Sequence, residues 1–173
     1  MPIINVLRFS IASAMGFVFL VCLFWVGPNY AVDLGRRWGW PSWHHPLGMV
    51  FGSLLIAAGA GVFVYCTGLF ASRGRGTPVP VAPPSTFVAT GLYRYTRNPI
   101  YLAYIGIIVG EALLVGSLSL FMYAMAMFLL FHRMVVAHEE PELRRRFGAV
   151  YDHYQTLVPR WLPARRAARA PDA

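Results

Sequence analysis

An all-α membrane protein is the fold class predicted here: about four transmembrane helices, a carboxyl-terminal helical hairpin and a cytoplasmic polar tail. Three observations predict it. Of 173 residues, 57% are hydrophobic and 13% charged, too apolar for a soluble globule of this size. The apolar residues gather into runs close to the roughly 20 residues that a bilayer demands. Every basic residue is arginine, and the arginines flank these runs instead of forming one basic face. The net charge of +8 therefore reads as membrane topology against anionic lipid, and nucleic-acid binding is excluded.

The first apolar run extends from about Phe9 to Val26. It is long for a signal peptide and no small-x-small cleavage site follows it, so a retained helix is expected. The outer loop, GPNYAVDLGRRWGWPSWHHP, is rich in Trp and Pro and is expected to lie at the interface, where amphipathic rings settle. Its His44–His45 pair has no Cys or carboxylate at ligand spacing, so no metal is expected. The second span, about Leu47 to Phe70, carries Gly48, Gly52, Ala57 and Gly61 at four- and five-residue steps, notches that let helices approach closely. The inner loop, SRGRGTPVPVAPPSTFVAT, is too Pro-rich for a helix and reads as an extended strap returning to the membrane. The third span (Ile100 to Val115) and the fourth (Leu118 to Ala137) are separated only by Gly116 and Ser117, which makes them a hairpin. Cys22 and Cys66 fall inside apolar runs and read as free thiols. Past Ala137, HEEPELRRRFGAVYDHYQTLVPRWLP is amphipathic and then extended. Residues 1–163 are read as one domain, with an Ala/Arg tail over 164–173 expected to fray.

Candidate functional groups collect at the inner end of the hairpin. In GLYRYTRNPIYLAY, Asn98–Pro99 begins a helix, with Asn as the cap and Pro in the first turn. The free N–H groups of such a helix start suit an anion or a carboxylate. Tyr101 and Tyr104 follow one turn apart. Glu139 and Glu140 close the fourth span, where the hairpin turn forces them beside Asn98, and His132 and Arg133 lie a turn or two above. Carboxylates for an ammonium or a ribose, N–H groups for a carboxylate and aromatic rings for a flat base suit a zwitterionic, nucleoside-like cofactor. Glu111, deep in the third span, either lines a substrate tunnel or makes a structural hydrogen bond. Tyr151 and Tyr154 read as packing for the tail, and Arg144, Arg145 and Arg146 as a lipid-facing charge run.

TFVATGLYRYTRNPIYLAY followed by HEEPELRRRFGAVYDHYQTLVPRWLP resembles the isoprenylcysteine carboxyl methyltransferase family and its relatives, the phospholipid N-methyltransferases. The resemblance covers about Ser85 to Pro163. It implies S-adenosylmethionine as cofactor, in a pocket between the hairpin and the polar tail that opens sideways to lipid. It places Ser85, Thr86, Phe87, Val88, Tyr93, Asn98, Pro99, Ile100, Tyr101 and Glu139 on that cofactor. Asn98 stands where the family more commonly has His, and Asn cannot titrate near neutrality. Prenylcysteine enzymes carry an arginine one turn before the glutamate. This chain has Val135 there, and Arg133 is the cation expected to serve instead.

The implied acceptor is a lipophilic or lipid-linked molecule. Methyl transfer from a sulfonium is an in-line displacement, so the protein's work is positioning and desolvation. An amine acceptor needs a base, for which Glu140 and His138 are candidates; a carboxylate acceptor needs none, and both chemistries stay open. Two other classes fit parts of the pattern. One is an NADPH-dependent sterol-reductase-type membrane enzyme, which has a similar Arg–Asn–Pro–x–Tyr element; the other is a non-catalytic membrane subunit.

Putting the amino terminus inside leaves Arg36 and Arg37 as the outward arginines, so both termini are expected in the cytoplasm of a bacterial inner membrane. Reporter fusions after Ala71 and Ala173 should read cytoplasmic, and a fusion after Trp40 should not. An external carboxyl terminus would overturn this topology.

Overall fold

The computed structural model describes residues 18, 21–69, 72, 87, 89–164 and 167. Most of the first apolar run, most of the inner strap and the end of the tail lie outside them. Among the described residues every regular element is helical: α1 (Gly27–Arg37), α2 (Pro46–Leu69), α3 (Pro99–Val115), α4 (Leu118–Met134), α5 (Glu140–Phe147) and α6 (Ala149–Leu157). A π-helical turn, Cys22–Val26, leads into α1; a second, Val135–Glu139, joins α4 to α5; and a 3₁₀ turn, Gly91–Arg94, precedes α3.

Among the described residues, two helices are long and apolar enough to cross a bilayer: α2, and the continuous helix Leu118–Phe147. The most apolar stretch of α2 is only 11% buried inside the protein, so its hydrophobic surface has lipid, not a protein core, to meet. The expected third span is shorter. At 17 residues, α3 covers roughly 25 Å of a hydrocarbon layer about 30 Å thick.

The segment expected as an interfacial loop is helical over Gly27–Arg37. Pro28, the second residue of α1, has no N–H to return to the turn before it. The preceding π-turn closes the Gly27 N–H onto the Cys22 carbonyl, and the Leu23 carbonyl accepts the Tyr104 hydroxyl at 2.9 Å. Tyr104 also meets the Tyr123 hydroxyl at 3.1 Å, tying α1, α3 and α4 into one core with Ile108, Ala112, Leu120 and Phe131. Glu111 is half-buried on the α3 face that carries Tyr104, two turns further on. Both cysteines are free thiols.

Helix α2 packs on α3 through glycine. A Cβ at Gly52 would stand 2.5 Å from the Gly110 carbonyl, one at Gly110 2.8 Å from the Gly52 carbonyl, and one at Gly59 2.8 Å from the Ala103 carbonyl. The contact stripe is thus Gly48, Gly52 and Gly59. Ala57 and Gly61 are exposed, because five residues turn a helix by roughly 140° beyond a full circle, off any face that recurs at three or four.

The hairpin closes at Gly116, whose φ of +66° is left-handed and where a Cβ would overlap the Trp43 carbonyl. Trp43 donates its N–H to the Gly116 carbonyl at 2.9 Å and stacks on Phe121, pinning the outer connection to the turn. His45 Nδ1 accepts the Leu47 N–H at 3.2 Å and so caps α2.

In the tail, Gly148 turns the chain between α5 and α6. Arg144 bridges the two helices, with Asp152 at 2.7 Å and Gln155 at 2.8 Å. Arg145 pairs with Glu142 and Arg146 lies over the Phe147 ring. The expected lipid-facing charge run is therefore engaged within the tail itself. Tyr151 and Tyr154 are buried as packing.

Gly52→Leu should destabilise the solubilised protein by about 1–3 kcal/mol, the cost of overpacking a close contact. Gly61→Leu should not, since nothing lies within 4 Å of a Cβ there. Melting temperatures test the pair, and equal losses would refute the assigned helix face.

Candidate functional site

The carboxyl end of the Leu118–Phe147 helix becomes a polar site because its winding changes. Val135 is buried and faces the core. In a regular helix Glu139 would follow it on nearly the same face, and Glu140 would be turned away by roughly 140°. The π-turn Val135–Glu139 closes Glu140 N–H onto the Val135 carbonyl and brings both glutamates over the α3 helix start. Glu139 accepts a hydrogen bond from the Tyr101 hydroxyl.

Glu140 is held by two arginines. Arg97 Nη1 donates to Oε1 at 2.7 Å; Arg160 donates from Nε to Oε1 at 2.7 Å and from Nη2 to Oε2 at 2.8 Å. The Arg97 and Glu140 side chains are 13% and 12% exposed, and Arg160 31%. The hydrogen bond to Glu140 pushes the Arg160 guanidinium above its ordinary range. With both oxygens engaged, Glu140, expected as a candidate base, stands in the structure as a joint between the helix start and the tail.

That joint anchors a strap, residues 159–164, across the segment before α3. Arg97 N–H donates to the Pro159 carbonyl at 3.0 Å and Ala164 N–H to the Tyr95 carbonyl at 2.8 Å. The Thr96 hydroxyl lies 3.1 Å from the carbonyls of both Arg160 and Trp161. Asn98 Nδ2 donates to the Arg160 carbonyl at 3.0 Å. Asn98 thus occupies the cap position without making a side-chain cap bond; its amide serves the strap. Trp161 packs on Phe128, with Tyr101 beside it, and donates its indole N–H to His132 Nδ1 at 3.0 Å.

The remaining expected residues divide. Pro99 is buried in the first turn of α3, while Ile100 turns its side chain to the cluster of Cys66, Leu69 and Tyr93 against α2. Tyr101 faces α4, stacked near Phe131. Tyr93 is 7% exposed and its carbonyl accepts the Tyr154 hydroxyl at 2.7 Å. Burial pushes both phenols well above their ordinary range, so they stay protonated donors. Phe87 packs on Phe147, Tyr151 and Tyr154, roofing the tail. Ser85, Thr86 and Val88 lie outside the described residues.

Arg133 is exposed. It stands two residues from both Phe131 and Val135, roughly 200° around the helix from the core face, so the structure does not bring it into the cluster. His138 is likewise exposed. Thr96, Arg160 and Trp161 are the site residues that sequence reasoning missed. The signal for Arg160 and Trp161 was a polar and aromatic pair between prolines, VPRWLP, after the last helix.

These features define an integral membrane protein whose polar site lies at the ends of a helical hairpin, beneath a carboxyl-terminal strap. The sequence model of the phospholipid methyltransferase family matches residues 47–150, and the chain belongs to that family of methyltransferases. The match takes in the α3 start and both glutamates and stops short of the strap. No curated protein matches the chain, and no solved structure does.

Replacing Glu140 by Ala should free the strap. The expected cost is about 2 kcal/mol, below the roughly 3–5 of a fully buried broken pair because Arg160 remains partly exposed. Trypsin should then cut after Arg160 several times faster than in the wild-type protein. Unchanged cleavage would show that the strap is held elsewhere.

Proposed function

We propose that the protein transfers a methyl group from S-adenosylmethionine to a lipophilic acceptor at the membrane, with the cofactor seated between the α3 helix start, Glu139 and the strap. The observation that carries this reading is the Tyr101–Glu139 hydrogen bond across the hairpin, which fixes a half-buried carboxylate at the helix start. The residues fit the cofactor. Glu139 accepts from an ammonium or ribose hydroxyls, and the N–H groups of Ile100 and Tyr101 lie in the first turn, where no intrahelical partner exists for them. Arg97 Nε is buried without a hydrogen-bond partner. Two arginines against Glu140 leave surplus positive charge beside that turn, where the helix dipole also favours an anion. One end of the site thus suits a carboxylate and the other an ammonium, as an amino-acid moiety requires.

The cofactor supplies an electrophilic methyl. The chain's part is to orient and to exclude water: Trp161 and the strap cover the helix start, and the Glu140 joint keeps the strap closed. Family membership supports methyl transfer in general, and the exposed apolar face of α2 supports an acceptor that arrives through the bilayer. Arg133, on the bilayer face of α4, anchors head groups and does not touch the reacting atoms. Both termini are cytoplasmic in this reading, which puts the site at the inner leaflet.

Solubilised protein should bind S-adenosylmethionine without added metal. Glu139→Ala should weaken binding at least tenfold, about 1.4 kcal/mol or more, the scale of a lost charge-assisted hydrogen bond. Arg133→Lys should keep turnover within about twofold, because an anchoring cation needs no bidentate fork. Preference for NADPH over S-adenosylmethionine, or undiminished binding by Glu139→Ala, would overturn the reading.

A further inference from the structure

On the opposite side of α3 from Glu139, a groove of about 640 Å³ lies between the outer face of α2 and the 3₁₀ turn Gly91–Arg94. Its lining is Ala58, Gly61, Val62, Tyr65, Gly91, Leu92, Arg94 and Tyr95. The α2 wall from Ala58 to Tyr65 spans roughly 10 Å of helix, enough for about half an acyl chain, and Gly61 keeps its middle open, with nothing within 4 Å of a Cβ. The other wall is built closely. Gly91 adopts a φ of +60°, and a Cβ there would collide with the Tyr65 hydroxyl, so a residue without a side chain is what lets the turn close on α2.

Polar groups line the turn side of this apolar trough, where the Tyr65 hydroxyl meets Gly91. Arg94 contributes a cation, and Tyr65 and Tyr95 contribute hydroxyls that none of the hydrogen bonds among the described residues engages. Apolar lining with a few polar groups is the form of a small-molecule site. Arg94 ends the 3₁₀ turn that leads into α3, beyond the apolar spans, at the level where a head group lies. We infer that this groove is a binding site for one anionic phospholipid, with an acyl chain along Ala58, Gly61 and Val62 and the phosphate at Arg94, Tyr65 and Tyr95. The site is separate from the methyl-transfer site and its test does not depend on activity. A lipid held there wedges between α2 and the segment that positions Asn98.

Native mass spectrometry of the purified full chain, titrated separately with phosphatidylglycerol and phosphatidylcholine, reads retention directly. The wild-type protein should retain one phosphatidylglycerol at least about fivefold more tightly than phosphatidylcholine, the factor that roughly 1 kcal/mol for one interfacial arginine converts to. Arg94→Gln should remove that preference, and Gly61→Trp, which fills the trough without touching the α2–α3 contact, should lower retention of both lipids by about fivefold or more. Millimolar inorganic phosphate should not displace the lipid. Equal retention of the two lipids by the wild-type protein, retention unchanged in both variants, or displacement by phosphate alone would each overturn the inference.

Discussion

The clamp of Arg97 and Arg160 on Glu140 is the interaction on which the rest of the site depends. Taking three charged groups largely out of water is costly, and their mutual attraction repays that cost only when geometry is good and hydrogen bonds are complete. Here both carboxylate oxygens are engaged at 2.7–2.8 Å. The clamp connects three pieces of chain distant in sequence: the segment before α3, the top of α5 and the strap after α6. It is the ion-paired anchor of the strap, beside the hydrogen bonds that hold the Arg160 carbonyl over Asn98 and Trp161 over His132. The clamp in turn exists because one helical turn is wound as π, which brings a residue that α-geometry would turn outward over the core face.

Membrane packing supplies the platform beneath. Helix α3 is short, and its position is fixed from both sides. Gly52 and Gly110 bring backbones into contact on the α2 side, while Tyr104 hydrogen-bonds across to the Leu23 carbonyl and Tyr123 on the other. Between lipid-facing helices, where burial of apolar surface gains little, such close backbone contacts and interhelical hydrogen bonds are the available sources of specificity. The outcome is that the α3 start, which carries the free N–H groups, is placed by two neighbours and then roofed by a third element.

Roles also divide by side of α3. Tyr101 points to α4, Glu139 and Trp161, and belongs to the polar site; Ile100, the next residue back, points to α2 and belongs to the packing that carries the lateral groove. Adjacent residues on a helix face directions about 100° apart, so a single first turn serves two surfaces. Tyr93 and Phe87, expected from the resemblance to line the cofactor, pack in apolar clusters against α2 and α6.

Hydrophobic run length, arginine placement and the Gly116–Ser117 break determined the membrane class and the hairpin, because those depend on local composition and on the span of a bilayer. The Asn98–Pro99 helix start and its proximity to the glutamates were legible too, since a two-residue turn leaves the ends of a hairpin nowhere else to go. The tertiary structure alone decided which glutamate accepts from Tyr101 and which clamps the strap. It turned Arg133 outward, put Gly59 and not Gly61 on the helix contact, and brought VPRWLP back over Asn98. Each of these turns on rotation about a helix axis or on contact between segments some sixty residues apart. A one-residue change in winding swings a side chain by about 100°, and long-range pairing leaves no periodic trace in the chain.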